Sequence, residues 1–89
     1  MPTIRFTDNI QRHVTCPTLD VEGRTVRDAL ERYFAGNERA RGYALDDQGR
    51  LRQHMAVFVD GRQVQDRDHL SDTVTPATII DVVQALSGG

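Results

Sequence analysis

Two adjacent glycines, Gly88 and Gly89, close the sequence, and only residues 84–87 separate them from residues 78–83, an apolar segment with the composition of a buried strand. Glycine has no Cβ, so an arm that ends in glycine enters channels too narrow for other residues. The carboxylate of Gly89 is a poor electrophile, but joining it to AMP would make it reactive. A sulfur nucleophile would then displace AMP and leave a thiocarboxylate or thioester. The ending therefore indicates a group carrier whose partners perform the catalysis.

A short tail leads up to these glycines. We expect a folded domain over residues 1–85 and a flexible Gly-Gly tail over residues 86–89. The candidate tail residues before the two glycines are Ala85, Leu86 and Ser87. Fully extended, residues 84–89 reach at most roughly 20 Å. Terminal glycines also occur as expression scars, so the interpretation depends on the rest of the chain. Because the chain already ends in Gly-Gly, we expect that no precursor has to be trimmed.

The composition limits the class of protein. A chain of 89 residues forms one domain with one modest core. The net charge is −2 without a long run of either sign, so we expect neither nucleic acid nor a membrane as a partner. The single cysteine, Cys16, excludes an internal disulfide and favours a cytoplasmic protein. All eleven basic residues are arginine, so the protein cannot form lysine-linked chains of itself.

The N-terminal half predicts two strands and one helix. Alternation over residues 3–7 indicates a strand that ends at Asp8. A second strand is predicted after Pro17, because proline cannot donate to a strand ladder. Thr25 is a good N-cap for the one clear helix. The apolar residues of this helix recur along a single stripe, formed by Val26, Ala29, Leu30, Tyr33 and Phe34. Residues 37–49 are polar and turn-rich, and no helix is predicted there.

The C-terminal half predicts a hairpin and a buried last strand. The strand over residues 55–59 runs into Asp60-Gly61, a strong signal for a tight hairpin. Residues 77–85 are apolar on both faces, as in a strand central to its sheet. The first and last strands both have buried patterns, so we expect them to be neighbours. The order of elements indicates an α+β protein with the β-grasp fold of ubiquitin, in which a mixed four- to five-stranded sheet packs on one main helix.

These features together resemble the MoaD/ThiS family of sulfur carriers. The segments that carry the resemblance are Ile4-Arg5-Phe6, Thr25-Val26-Arg27-Asp28-Ala29-Leu30, Val57-Phe58-Val59-Asp60-Gly61 and Ala85-Leu86-Ser87-Gly88-Gly89. The terminal Gly-Gly is the specific part of the match. Within the family, residues 49–54 are similar to the CysO-type carrier of cysteine biosynthesis.

The resemblance implies a carrier protein that is not itself an enzyme and binds no cofactor. A ubiquitin-activating-type adenylyltransferase would use ATP to adenylate Gly89, and the product would be converted to a thiocarboxylate. A sulfur-accepting biosynthetic enzyme would then take the sulfur into a small metabolite such as cysteine or a cofactor. Only Gly88 and Gly89 match the motif of the family residue by residue.

The sequence also predicts a partner surface beside the hairpin. If the strand that contains Met55 already begins at residue 52, one of its faces carries Arg52, His54, Ala56 and Phe58. The opposite face, with Met55, Val57 and Val59, should belong to the core. Phe58 would then be an exposed apolar anchor of the kind that partners bind. The alternative is that a loop covers Phe58 or that the register is reversed.

The remaining reactive side chains favour structural roles. Cys16 is expected to be a buried filler. His13, His54 and His69 show no metal-ligand spacing and are expected at the surface. Residues 46–49 have the composition of a turn between short strands. Neither a catalytic triad nor a Gly-rich phosphate loop can be argued from the sequence, so we assign no catalytic and no metal-binding residue.

Three other interpretations stay open at this point. The chain can be a ubiquitin-like modifier that is joined through Gly89 to lysines of other proteins. It can be the small subunit of a molybdopterin-synthase-like complex. It can also be a β-grasp binding module whose tail has no role.

Overall fold

The computed structural model describes residues 1–84. Within that range the elements are β1 (Thr3–Phe6), α1 (Asp8–Gln11), β2 (Leu19–Asp20), α2 (Val26–Ala35), α3 (Glu38–Ala44), β3 (Met55–Val59), β4 (Arg62–Gln63) and β5 (Ile79–Gln84). The predicted tail residues, Ala85 to Gly89, lie outside the described residues. No helix within residues 1–84 is long and apolar enough to cross a membrane.

The strands form one mixed sheet in the order β2-β1-β5-β3-β4. The central strand β5 is parallel to β1 and antiparallel to β3. Thr3 lies opposite Ile79 in the parallel pair, and Val57 lies opposite Val82 in the antiparallel pair. Ile80 and Val82 of β5 lie in the core, whereas Ile79, Asp81 and Val83 lie on the opposite face of the sheet and are half-buried. The predicted β-grasp fold is confirmed, and so is the expected contact between the first and last strands.

The helix α2 covers one face of the sheet, and its sequence explains where it begins and what it buries. Oγ1 of Thr25 accepts a hydrogen bond from the backbone N–H of Asp28 at 3.0 Å, which confirms the predicted N-cap. All residues of the predicted stripe are buried. The ring of Phe6 on β1 lies 5.0 Å from the ring of Tyr33 and 6.3 Å from that of Phe34. Because burying each large apolar side chain contributes about 1.5–3 kcal/mol, these contacts hold the helix on the sheet.

Two short helices lie where the sequence analysis predicts none. In α3, Oδ1 of Asn37 caps the first turn by accepting the N–H of Ala40 at 3.2 Å. Only Ala40 and Ala44 are fully buried on α3, and Gly42 lowers its intrinsic stability by about 1 kcal/mol relative to alanine. This short stripe and the glycine explain why the periodicity does not reveal the helix. In α1, a single turn buries Ile10 directly after the predicted strand end.

The predicted turns are present with one difference. Asp60 and Gly61 have φ angles of 49° and 86°, as a two-residue hairpin turn requires, so the hairpin between β3 and β4 is confirmed. The turn at residues 46–49 is closed by a backbone hydrogen bond of 2.9 Å. An isolated bridge between Leu45 and Leu51 replaces the short strands that were expected on either side of it.

Candidate functional site

The described part of the chain ends at Gln84, the last residue of the central strand. Gln84 lies opposite Met55, the first residue of β3. On the other side of β5, the backbone N–H of Thr7 donates to the carbonyl of Val82 at 3.2 Å. The segment with the predicted carrier residues therefore continues from a strand end that has neighbours on both sides. The roles predicted for the tail residues themselves stay predictions.

The sheet face opposite α2 carries the residues around Phe58. Phe58 and Ala56 are half-buried on this face, whereas Met55 and Val57 on the other face are only 1% and 0% exposed. Val59 is half-buried and packs against the core. The predicted faces of β3 are therefore correct, and the alternative of a reversed register is wrong. We call the neighbouring outward residues of β1, β3 and β5 the outer patch, which consists of Arg5, Ala56, Phe58, Ile79, Asp81 and Val83.

Arg52 and His54 do not belong to the outer patch, which corrects the sequence prediction. β3 begins at Met55, and residues 52–54 form a turn in which the backbone N–H of Met55 donates to the carbonyl of Arg52 at 2.9 Å. The strand alternation therefore does not extend back to residue 52. Nε of Arg52 instead donates to the carbonyl of Gly42 at 2.9 Å, which connects this turn to α3.

An ion pair lies within the outer patch. The guanidinium of Arg5 donates from Nε and Nη2 to the two carboxylate oxygens of Asp81, at 2.7 and 2.9 Å. The hydrogen bonding and charge of Asp81 raise the pKa of Arg5 above its usual value. Such partly exposed pairs add little stability, but two fixed charges within an apolar surface favour one orientation of a partner. Residue spacing along the chain does not predict this pair, and the one signal for it is a carboxylate inside an otherwise apolar last strand.

A second group of side chains surrounds the end of β5. The hydroxyl of Tyr43 on α3 donates a hydrogen bond to Oε1 of Gln84 at 2.8 Å. The Tyr43 ring stacks on the imidazole of His13, with centroids 5.7 Å apart, and meets that of His54 edge-on at 6.4 Å. We call His13, Tyr43, His54 and Gln84 the tail-root cluster. Both histidines are at the surface, as predicted, but the sequence did not indicate that they share a neighbour.

Cys16 has the predicted role of a buried filler. Its side chain is 1% exposed, and Sγ donates to the carbonyl of Val14 at 3.3 Å. Desolvation raises the pKa of the thiol above its usual value, which lowers its reactivity because the thiolate is the nucleophile. Over residues 1–84, no group of three or more His, Cys, Asp or Glu side chains is placed to hold a metal ion.

The sequence model of the ThiS family matches residues 9–89. The protein belongs to the ThiS family. The match begins within α1, covers every later element of the fold and continues through the two terminal glycines. The family resemblance found in the sequence is thus confirmed, and the ThiS-family chain is a ubiquitin-like protein of the sulfur-carrier type. No functionally curated protein matches the sequence significantly.

Three solved structures are similar to the ThiS-family chain over almost its whole length. SAMP1 from Haloferax volcanii is 20% identical with a TM-score of 0.77, over 99% of this chain and 98% of that one. A chain of the BexX/CysO complex from Amycolatopsis orientalis is 17% identical with a TM-score of 0.81, over 100% of both chains. Urm1 from Trypanosoma brucei is 16% identical with a TM-score of 0.70, over 99% and 94%. These likenesses confirm the β-grasp fold, and their similar strength does not single out the CysO type.

Proposed function

We propose that this ThiS-family protein carries sulfur as a thiocarboxylate on the carbonyl carbon of Gly89. The observation that supports the proposal is that the family match extends through Gly88 and Gly89. These glycines follow β5, the central strand, after only a few residues. The folded domain would therefore hold one end of a short arm, and the other end would carry the reactive group.

The proposed reaction has two steps, and partner enzymes perform both. In the first, a carboxylate oxygen of Gly89 attacks the α-phosphorus of ATP on a ubiquitin-activating-type adenylyltransferase, and pyrophosphate leaves. In the second, a sulfide ion attacks the carbonyl carbon, and AMP leaves with one former carboxylate oxygen. The absence of a side chain on glycine leaves this carbon open to attack. The protein itself serves as substrate and carrier and supplies no catalytic group.

A sulfur-accepting biosynthetic enzyme would take the sulfur from Gly89 into a small metabolite. We propose the outer patch as the surface that docks on such partners. The half-buried Phe58 and Ala56 offer apolar contact, and the pair of Arg5 and Asp81 offers charges of both signs that select an orientation. The similar chain from Amycolatopsis orientalis was crystallised in a complex with a second protein, which supports a docking role. Because the activation consumes ATP, we place the carrier in the cytoplasm.

Intact mass spectrometry tests this proposal. The full chain is incubated with a ubiquitin-activating-type adenylyltransferase, ATP and sulfide. We expect a mass shift equal to the replacement of one oxygen by sulfur. The matched control is a chain without Gly89, which should keep its melting temperature and show no shift. The absence of a shift with several such enzymes, while the full chain stays intact, would overturn the proposal.

The similarity to SAMP1 favours one other function. The SAMP1 protein from Haloferax volcanii is described as a small archaeal modifier protein. We infer as a second candidate that Gly89 is joined to amines of other proteins after the same adenylation step. Denatured extracts that contain the tagged full chain distinguish the two functions. Attached proteins that disappear on deletion of Gly89 would favour the modifier, and a thiocarboxylate without attached proteins would favour the carrier.

A further inference from the structure

Three separate segments converge where β5 ends. α3 brings Tyr43, the turn before β3 brings His54, and the segment after α1 brings His13. The Tyr43 ring contacts both imidazoles, and the Tyr43 hydroxyl donates a hydrogen bond to Oε1 of Gln84 on β5 at 2.8 Å. The outer patch and the proposed carrier chemistry on Gly89 use none of these contacts. The functions proposed so far therefore do not explain the tail-root cluster.

We propose that Tyr43 is a positioning residue that fixes where the carrier segment, residues 85–89, leaves the domain. The hydrogen bond of Tyr43 holds the side chain of Gln84, the last residue of the strand. The ring of Tyr43 is in turn contacted by two imidazoles, that of His13 in a stacked geometry and that of His54 in an edge-on geometry. The proposal rests on the proposed function, because a fixed exit point matters only if the segment beyond Gln84 enters a partner.

The physical reason lies in the short reach of the carrier segment. Residues 85–89 span at most roughly 17 Å when fully extended, so the starting direction decides which partner sites Gly89 can reach. The last pair of a strand ladder, here Gln84 and Met55, opens more easily than pairs inside the sheet. A side-chain hydrogen bond from α3 opposes this opening. It thereby raises the fraction of molecules whose carrier segment starts from the productive position.

This role predicts a specific kinetic effect. When only a fraction of molecules is competent to bind, the apparent affinity falls by that fraction, while the bound complex reacts at the normal rate. Tyr43→Phe removes the hydroxyl and keeps the ring that contacts His13 and His54. We expect the KM of adenylation for the carrier protein to rise about three- to tenfold, as the loss of one hydrogen bond predicts, with kcat unchanged.

Tyr33 offers a matched control. Its hydroxyl donates to the carbonyl of Pro17 at 2.6 Å and forms no part of the tail-root cluster. Tyr33→Phe removes a hydrogen bond of the same kind from the same type of residue. If Tyr43 contributes only to stability, the two variants will lower the melting temperature and leave KM unchanged. If Tyr43 positions the carrier segment, only Tyr43→Phe will raise KM.

The experiment is a double-mutant cycle on the full chain. Tyr43→Phe, Gln84→Leu and the double variant are compared with the native sequence in steady-state adenylation by the activating enzyme. If the two side chains act through one hydrogen bond, the KM of the double variant will be no higher than the KM of the more impaired single variant. A KM for Tyr43→Phe equal to that of the native chain would overturn the proposal. Strictly additive effects of the two substitutions would also overturn it.

Amide hydrogen exchange keeps this test separate from the proposed function. If no activating enzyme adenylates the native chain, the proposed function fails, but amide exchange at Thr7 still reports on the end of β5, because the Thr7 N–H donates to the carbonyl of Val82. We expect faster exchange at Thr7 in Tyr43→Phe and native exchange there in Tyr33→Phe. Equal exchange at Thr7 in both variants and in the native chain would overturn the positioning role on its own.

Discussion

Arg5 on β1 and Asp81 on β5 form a bidentate ion pair across the outer face of the sheet, with oxygen–nitrogen distances of 2.7 and 2.9 Å. The parallel register places these two residues directly opposite each other. Phe58 lies opposite Asp81 on the other side of β5, so the ion pair borders the apolar centre of the outer patch. This arrangement of charge beside apolar surface is typical of surfaces that select a partner and its orientation.

The first prediction concerns Phe58. Phe58→Asp should weaken binding to the activating adenylyltransferase at least about tenfold, because truncating a central aromatic anchor typically costs that much. The melting temperature should change little, since Phe58 is outside the core. The matched control is Leu19→Asp on the edge strand β2, where Leu19 is 47% exposed. Calorimetric titration measures both affinities. Unfolding of the Phe58 variant, or equal binding by both variants, would contradict the prediction.

The second prediction concerns the charge of Asp81. Asp81→Asn keeps the shape of the side chain and removes its charge. Because the pair is partly exposed, we expect little change in thermal stability. The association rate with the activating enzyme should change and become less sensitive to salt, since charges beside an interface act mainly on encounter. Stopped-flow measurements at low and high salt test this. An unchanged rate with unchanged salt dependence would remove Asp81 from the proposed docking surface.

The third prediction concerns stability in acid. Hydrogen bonds from the Ser71 hydroxyl and the His69 N–H lower the pKa of Asp66 to about 2, and a hydrogen bond from Arg41 lowers the pKa of Glu31. A carboxylate with a lowered pKa in the folded state stabilises the fold when ionised. That contribution is present above the unfolded pKa, near 4, and is lost as the pH falls towards the folded pKa.

We therefore expect the free energy of unfolding to fall between about pH 4 and pH 2, and to fall less steeply in Asp66→Asn. The control is Asp47→Asn, because Asp47 is exposed and lies outside the hydrogen-bond network of Asp66. Urea unfolding at a series of acidic pH values gives both slopes. Identical slopes for the native chain and Asp66→Asn would show that the hydrogen bonds to Asp66 do not contribute.

The fourth prediction compares two glycines. A Cβ at Gly23 would lie 2.7 Å from the backbone nitrogen of Ala29 and 2.9 Å from its Cα, inside the buried part of α2. Gly23→Ala should therefore destabilise the fold by about 1–3 kcal/mol, as overpacking does. Gly42 in α3 has open space at this position, so Gly42→Ala should stabilise by about 0.5–1 kcal/mol. Urea unfolding measures both. Effects of the same sign would contradict the prediction.

The predictions from the sequence succeeded where a full period or a turn signal was present. The apolar stripe of α2 spans more than two turns, and Asp60-Gly61 permits only a few turn geometries. The predictions of this helix and of this hairpin are therefore both correct. The apolar periodicity does not predict α3, because its buried residues, Ala40 and Ala44, are small and Gly42 interrupts the helix. Arg52 and His54 were misplaced because alternation alone does not reveal that a strand begins at Met55.

The candidate site was only partly accessible from the sequence. The outer position of Phe58 followed from alternation within one strand. The contact between Tyr43 and Gln84 joins residues 41 positions apart, and that between Arg5 and Asp81 joins residues 76 positions apart. Such contacts depend on the packing of α3 against the end of the sheet and on the register between the first and last strands. Neither this packing nor this register can be predicted from the spacing of residues along the chain.

The central position of β5 has a consequence for how the protein is made. Ile80 and Val82 are among the most deeply buried residues, and they come near the end of the sequence. The ribosome synthesises them after every other strand of the sheet, so the sheet lacks its middle strand until the rest of the domain has been made. A chain that stops before β5 would lack the central strand of its sheet, with the core residues Ile80 and Val82, and would remain a substrate for proteases. Folding therefore acts as a check on synthesis, because a chain that completes this domain has already been extended to within a few residues of Gly89.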